Sequence, residues 1–191
     1  MKRVIVGITG THGAGKGTAV EEVVKRGFAH FSVREFLLAE LARRNSGTGR
    51  PEMHALANEL RSKYGSAHII STLYRKAICS PQNVVIESIY TVGEIDEVRA
   101  DAVELGESFV LLAVDADQKI RYERIKARQS ETDKVSFEQF AEQEQCELVS
   151  ADPARHNLLA CRDRADKVIT NNGTKDEYQA QVMSWLSTLV G

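Results

Sequence analysis

The chain has 191 residues, 42% of them apolar and 27% charged, the proportions of an ordinary globular protein with room for one sizeable core. Its formal net charge of −2 gives no basic field for a nucleic-acid partner, and no apolar run approaches the roughly 20 residues of a membrane span. Cys79, Cys146 and Cys161 have neither CxxC nor metal-site spacing and fit thiols in a reducing compartment. The opening MKRVIVGIT turns glycine-rich too soon for a secretion signal, so the expected location is cytoplasmic.

Lys2–Thr9 is a short β-branched run, the pattern of a strand buried in a parallel sheet. It opens into glycines and then a helix over Lys16–Lys25, stopped by Gly27. Phe28–Val33 reads as a second strand. Arg34–Arg44 carries Phe36, Leu37 and Leu41 at helical spacing, and a loop rich in Gly, Ser and Thr follows over Asn45–Pro51. Helical patterns fill Glu52–Ser62 and Ala67–Ile78, on either side of Tyr64–Gly65. After the turn at Pro81–Asn83, Val84-Val85-Ile86 forms a third strand ending at Glu87. Gly93–Leu105 has helical character, Ser108–Val114 is a fourth strand and Asp117–Gln129 a charged helix. A polar loop, Ser130–Ser136, precedes a helix over Phe137–Val149. Beyond Asp152-Pro153 a further helix leads to a fifth strand, Lys167–Thr170, and a last helix spans Lys175–Leu189. Strands alternating with helices predict an α/β fold with a largely parallel sheet.

The chemistry concentrates between the first strand and the first helix. Gly10, four residues, Gly15 and Lys16 have the spacing of a phosphate-binding loop. Glycines let the backbone turn with positive φ and approach a phosphate closely. The N–H groups of His12, Gly13, Ala14, Gly15 and their neighbours can then form an anion nest, reinforced by the N-terminus of the next helix. Lys16 adds a point charge for the β- and γ-phosphates. The usual Ser or Thr after the lysine, whose hydroxyl reaches Mg²⁺, is replaced by Gly17, and Thr18 comes one position later.

Gly10–Thr18 therefore resembles the GxxGxGKGT loop of adenylate kinase and related nucleoside monophosphate kinases, in which the metal is held mostly through water. The likeness extends to Ser32-Val33-Arg34-Glu35-Phe36-Leu37, where that family opens its acceptor-binding helices, and to Val84–Thr91, where it carries a strand ending in an acidic residue. Glu123-Arg124-Ile125 through Arg128 resembles the family's helix leading into the lid. Ala165–Thr174 is instead similar to dephospho-CoA kinase, whose Asn-rich turn approaches the adenine base. Tyr90 and Leu38 stand where the family has arginines, so an acceptor would be recognised through other residues.

The resemblance implies a three-layer P-loop NTPase fold in a single domain over 1–191, with a parallel five-stranded sheet, a helical acceptor-binding insert near 33–80 and a short lid near 129–150. It also implies ATP with Mg²⁺, and transfer of the γ-phosphoryl group to a small phosphorylated acceptor, foremost a nucleoside or deoxynucleoside monophosphate. A dephospho-CoA-like acceptor and an ATP-hydrolysing switch or assembly factor are the alternatives. The latter reads ATP rather than GTP, because no Asn-Lys-x-Asp motif occurs.

Positive charge on both sides of the reacting group is what phosphoryl transfer requires. Arg121, Arg124 and Arg128 share one helical face; Arg124 and Arg128 match nucleotide-clamping arginines, a solvated face beside Glu123 being the alternative. Arg34, Arg50, Arg61 and Lys63 lie in the insert, and Arg61, near a helix end, is a candidate for an acceptor phosphate. Arg155 and Arg162 are candidates to swing in with the lid. Glu87 and Asp115 end strands where ligands bind in open α/β sheets, and either metal-bound water or the acceptor could be their partner. Tyr90 faces the acceptor side, and Asn171, Asn172 and Gly173 are expected to shape the adenine pocket. No side chain is assigned as a direct metal ligand.

Overall fold

The computed structural model describes residues 2–128 and 136–190, apart from the side chain of Arg50. The five expected strands are all present: β1 (Val4–Gly10), β2 (Ala29–Ser32), β3 (Val84–Glu87), β4 (Ser108–Asp115) and β5 (Lys167–Thr170). They pair in the order β2-β3-β1-β4-β5, and every pairing is parallel. The order reverses beside β1, so its carboxyl end opens into the crevice where such sheets bind ligands.

Alternation along the strands sends side chains to two separate cores. On one face Val4, Val6, Ile8, Val85, Leu112 and Val114 pack with Val20 and Val23 of α1 (Lys16–Lys25) and with Tyr178, Val182 and Leu186 of α9 (Lys175–Leu186). On the other, Ile5, Val84, Ile86 and Leu111 pack against α2 (Val33–Arg43), α3 (Arg50–Tyr64), α4 (His68–Ala77), α5 (Val92–Glu104) and α8 (Leu158–Asp163). Sheet between two helical layers is the expected three-layer architecture. No helix among the described residues is long and apolar enough to cross a membrane.

Boundaries moved where local chemistry overrode the apolar pattern. Ser32 accepts a hydrogen bond from the Glu35 N–H, so it caps α2 and the helix begins one residue earlier than expected. Pro51 occupies the first turn of α3, where a missing N–H costs nothing; Pro51 begins a helix instead of closing a loop. The helix after Asp152-Pro153 starts only at Leu158, because the Asn157 side chain accepts from the Ala160 N–H and caps it there.

Of the insert, α2 and α3 border a cavity beside the glycine loop, whereas α4 is buried against the sheet through Ile69, Ile70, Leu73 and Tyr74. The expected lid splits likewise: residues 129–135 lie outside the described residues. The remainder is a helix, α7 (Phe137–Leu148), capped by Ser136 and Gln139 and packed beside α6 (Gln118–Ala127) and α8.

Candidate active site

The glycine loop lies at the carboxyl end of β1, and Gly10, Gly13 and Gly15 within it all have positive φ. Gly10 has φ +141, and a Cβ there would collide with the carbonyl oxygen of Val114 on β4. Gly15 has φ +113 and caps α1; a Cβ there would strike the side-chain amide of Asn171. The first N–H groups of a helix have no intrahelical partner, and Gly15 caps α1 with no side chain to engage them. Such unpaired N–H groups are the donors that an anion at a helix N-terminus uses. Gly17 differs: it has no unusual φ and nothing lies within 4 Å of a Cβ placed on it.

Lys16 folds back over the loop, its Nζ donating to the carbonyls of Gly10 at 2.8 Å and Thr11 at 2.9 Å. The same ammonium lies 5.6 Å from the centroid of the Tyr90 ring, close enough for a cation–π contact. A polyphosphate would exchange the two neutral carbonyl acceptors for charged ones, which hold an ammonium more strongly.

Asn171 holds the loop through its side chain. Its side chain is buried and braces the loop: Nδ2 donates to the Ala14 carbonyl at 2.8 Å, while Oδ1 accepts from Arg124 at 3.1 Å. A second guanidinium nitrogen of Arg124 is buried and has no hydrogen-bond partner among the described residues. Asn172 Oδ1 accepts from the Asp117 N–H, and Gly173 lies against Glu177, which closes the N-terminal cap of α9. Both shape the turn after β5. Arg121, on the same helix as Arg124, is a structural residue: it is buried, ion-paired with Glu144 of α7, and bonded to the Ala116 carbonyl at 2.7 Å.

On the other side of the loop is a cavity of about 410 Å³ whose walls include Gly10, His12, Arg34, Arg61, Tyr90 and Arg128. Val33, Leu37, Met53 and Ala57 give it one apolar wall. Arg34 and Arg128 are exposed, and among the described residues neither has a carboxylate partner. Arg61 is fully buried and ion-paired with Glu94, but its remaining guanidinium nitrogen is buried with no partner. Ser88, also on the cavity wall, has φ +66, a strained conformation of the kind that concentrates at functional sites. Lys63 is exposed and lies 5.0 Å from the Tyr64 ring, outside this cavity. The Arg155 and Arg162 candidates also lie off its walls, Arg155 beside Asp152 at 3.5 Å and Arg162 on Asp115 at 3.0 Å.

Glu87 ends β3 under this site. Burial acts to raise its carboxyl pKa, but hydrogen bonds from His30 and Ser32 and the charges of His30 and Lys16 outweigh burial, and the group titrates below the usual carboxylate range. Ser32 Oγ lies 2.9 Å and His30 Nε2 3.4 Å from Oε1.

Sequence reasoning missed three cavity residues, His54, Glu147 and His156. His156 stacks on Tyr90, with ring centroids 4.6 Å apart, and lies 5.5 Å from His54. The Asn157 N–H donates to the Tyr90 carbonyl at 2.9 Å and fixes that neighbour. With Tyr90 these residues come from α3, the loop after β3, α7 and the segment before α8, and no local pattern announces such a contact.

No group of three or more His, Cys, Asp or Glu among the described residues could hold a metal ion. The half-buried Thr18 hydroxyl makes no hydrogen bond among them. That fits an ion bound through phosphates and water, as Mg²⁺ commonly is.

A family model described as an AAA domain matches residues 6–150. The chain is 30% identical to the UPF0200 protein PAE1629 of Pyrobaculum aerophilum over 87% of both chains. It is 28% identical to the UPF0200 protein TK1334 of Thermococcus kodakarensis over 98% of both. The chain belongs to the UPF0200 family. Among solved structures, this UPF0200 chain is similar to TT1252 from Thermus thermophilus, with a TM-score of 0.61, 21% identity and complete coverage of both chains. It also resembles shikimate kinase from Bacteroides thetaiotaomicron, at a TM-score of 0.59 and 13% identity over 98% of each. A gluconokinase from Sinorhizobium meliloti gives 0.59 and 13% over 98% of this chain and 93% of its own. The UPF0200 chain has the P-loop kinase-like fold.

Proposed function

We propose that this UPF0200 protein is an ATP-dependent phosphotransferase whose acceptor is a nucleoside or deoxynucleoside monophosphate. The observation that carries the reading is a shared wall. Gly10 and His12 of the phosphate loop line the same cavity as Arg34, Arg61 and Arg128, from three different elements. An anionic acceptor held by those arginines would lie beside the γ-phosphate of loop-bound ATP. The apolar wall of Val33, Leu37, Met53 and Ala57 suits the flat face of a base.

In the reaction an acceptor phosphate oxygen forms a bond to the γ-phosphorus, the β–γ bridging bond breaks, and ADP leaves. Lys16 and the loop amides stabilise charge on the transferring group, and Arg124 and Arg128 add to it from α6. Mg²⁺ would supply charge neutralisation on the β- and γ-oxygens, with Thr18 beside its water shell. An acceptor phosphate is already anionic, so no general base is required.

Glu87 favours a second reading. A carboxylate that stays ionised at neutral pH beside Lys16 could take a proton from an acceptor hydroxyl, as a dephospho-CoA-like acceptor would need. The experiment is ADP release from ATP and Mg²⁺ with a panel of monophosphates and hydroxyl acceptors, dephospho-CoA included. Stimulation by a monophosphate supports the first reading and stimulation by hydroxyl acceptors alone the second. ATP turnover indifferent to every acceptor would point to a nucleotide switch instead.

A further inference from the structure

The cavity beside the phosphate loop does not end at its histidines. His54, Glu147 and His156 also line a second chamber, of about 500 Å³. The three side chains are thus a waist between two adjoining spaces. The first space has cations and an apolar wall. Beyond the shared residues, the second is lined by Asn58 from α3, Gln143 and Cys146 from α7, Pro51 and the exposed Arg155. Ligand sites generally span about 300–1,000 Å³, so the first chamber alone accommodates a small acceptor and the second is as large again.

The waist is built rather than incidental. Tyr90, His156 and His54 form a row of rings, with centroid spacings of 4.6 and 5.5 Å, and His54 Nε2 lies 3.7 Å from Glu147 Oε1. The segment bearing His156 is tied at both ends, because Asn157 N–H donates to the Tyr90 carbonyl and Asn157 Nδ2 donates to the Ser150 carbonyl at 3.0 Å. A bare monophosphate filling the first chamber would leave Asn58, Gln143 and Arg155 unused, since none of them lines that chamber.

We propose that the acceptor is a 5′-phosphorylated nucleotide carrying a second polar unit on its sugar, with that unit seated in the second chamber against Asn58, Gln143 and Arg155. The inference rests on the monophosphate-acceptor reading and narrows it. The 5′-phosphate takes the γ-phosphoryl group at the loop, the base lies on the apolar wall, and the extension passes the His54–His156 waist.

The test uses AMP and the 5′-phosphorylated dinucleotide pApA as probes of the full chain, by calorimetric binding and by ADP release with ATP and Mg²⁺. The dinucleotide should bind at least tenfold more tightly than AMP, about 1.4 kcal/mol. Asn58→Leu with Gln143→Leu should remove that advantage while the Kd for AMP stays the same. Arg155→Ala, a change at an exposed side chain, should lower pApA affinity severalfold without disturbing the fold. Equal affinities for the two probes, or variants that weaken both alike, would overturn the two-chamber acceptor and leave the monophosphate reading standing. Binding and turnover of neither probe would overturn both.

Discussion

Arg61 and Glu94 meet in a wholly buried ion pair, with two guanidinium nitrogens donating to the single oxygen Oε1 at 3.0 and 2.9 Å. The other oxygen of Glu94 accepts from the N–H groups of Tyr90 and Thr91 at 2.8 and 3.0 Å. One carboxylate therefore couples the acceptor-side helix α3 to the loop that carries the ring beside Lys16. Removing one partner of a buried pair leaves the other charged and unpaired, at a cost of about 3–5 kcal/mol. Glu94→Ala should lower the urea midpoint correspondingly, and a change under about 1 kcal/mol would remove the pair from the account.

The loop glycines make a paired prediction. Gly10→Ala forces a left-handed φ on an L-residue and drives its Cβ into the Val114 carbonyl, so both ATP affinity and thermal stability should fall. Gly17→Ser meets nothing within 4 Å and replaces the poorer helix former; its melting temperature should hold or rise slightly. Equal damage from both substitutions, read by calorimetry and thermal melts, would contradict the loop geometry.

Asn171 should behave as a brace. Asn171→Ala leaves the Ala14 carbonyl and the Arg124 guanidinium without their partner, an effect of about 1–3 kcal/mol for buried polar groups. The Kd for ATP should rise by roughly tenfold or more, since 1.4 kcal/mol is a factor of ten. Unchanged ATP affinity would mean that the turn after β5 does not support the loop.

For Glu87 the sign follows from a lowered folded-state pKa. Its contribution to stability is fully present above the ordinary carboxyl value of 4.5, where the unfolded chain is ionised as well. As pH falls through the lower folded value the carboxylate protonates, its attraction to His30 and Lys16 disappears, and that stability is lost. Glu87→Gln should flatten the acid limb of a stability–pH curve, measured by denaturant midpoints between about pH 3 and pH 7. A mutant curve parallel to the wild type would show that Glu87 is not coupled to those charges.

How much was legible in the sequence follows the range of the interactions involved. The strands and the phosphate loop were readable because β-branched runs and glycine spacing are local: β5 and α1 have the bounds that the pattern gave. The sequence marks Arg61 as a candidate cation for an acceptor phosphate but gives no sign of its burial, because the neutralising carboxylate lies 33 residues away. Arg121 looked equivalent to Arg124 and Arg128 on one helical face, yet packing of α7 delivers Glu144 to Arg121. The turn at Asn171 is legible as a ligand-side segment, but its side-chain bond to the Ala14 carbonyl is not, because that carbonyl lies 157 residues away. The His54–His156 waist had no local signature at all, since it exists only once α3 and the segment before α8 are folded against Tyr90.

The claim beneath all of this is that the loop amides and the Lys16 ammonium grip a triphosphate for transfer. Lys16→Ala, examined by calorimetric titration with ATP·Mg²⁺ and by acceptor-stimulated ADP release, tests it most directly. The account predicts ATP affinity reduced by at least tenfold and stimulated turnover lost, with the fold intact by circular dichroism. Wild-type affinity and turnover in that variant would contradict it.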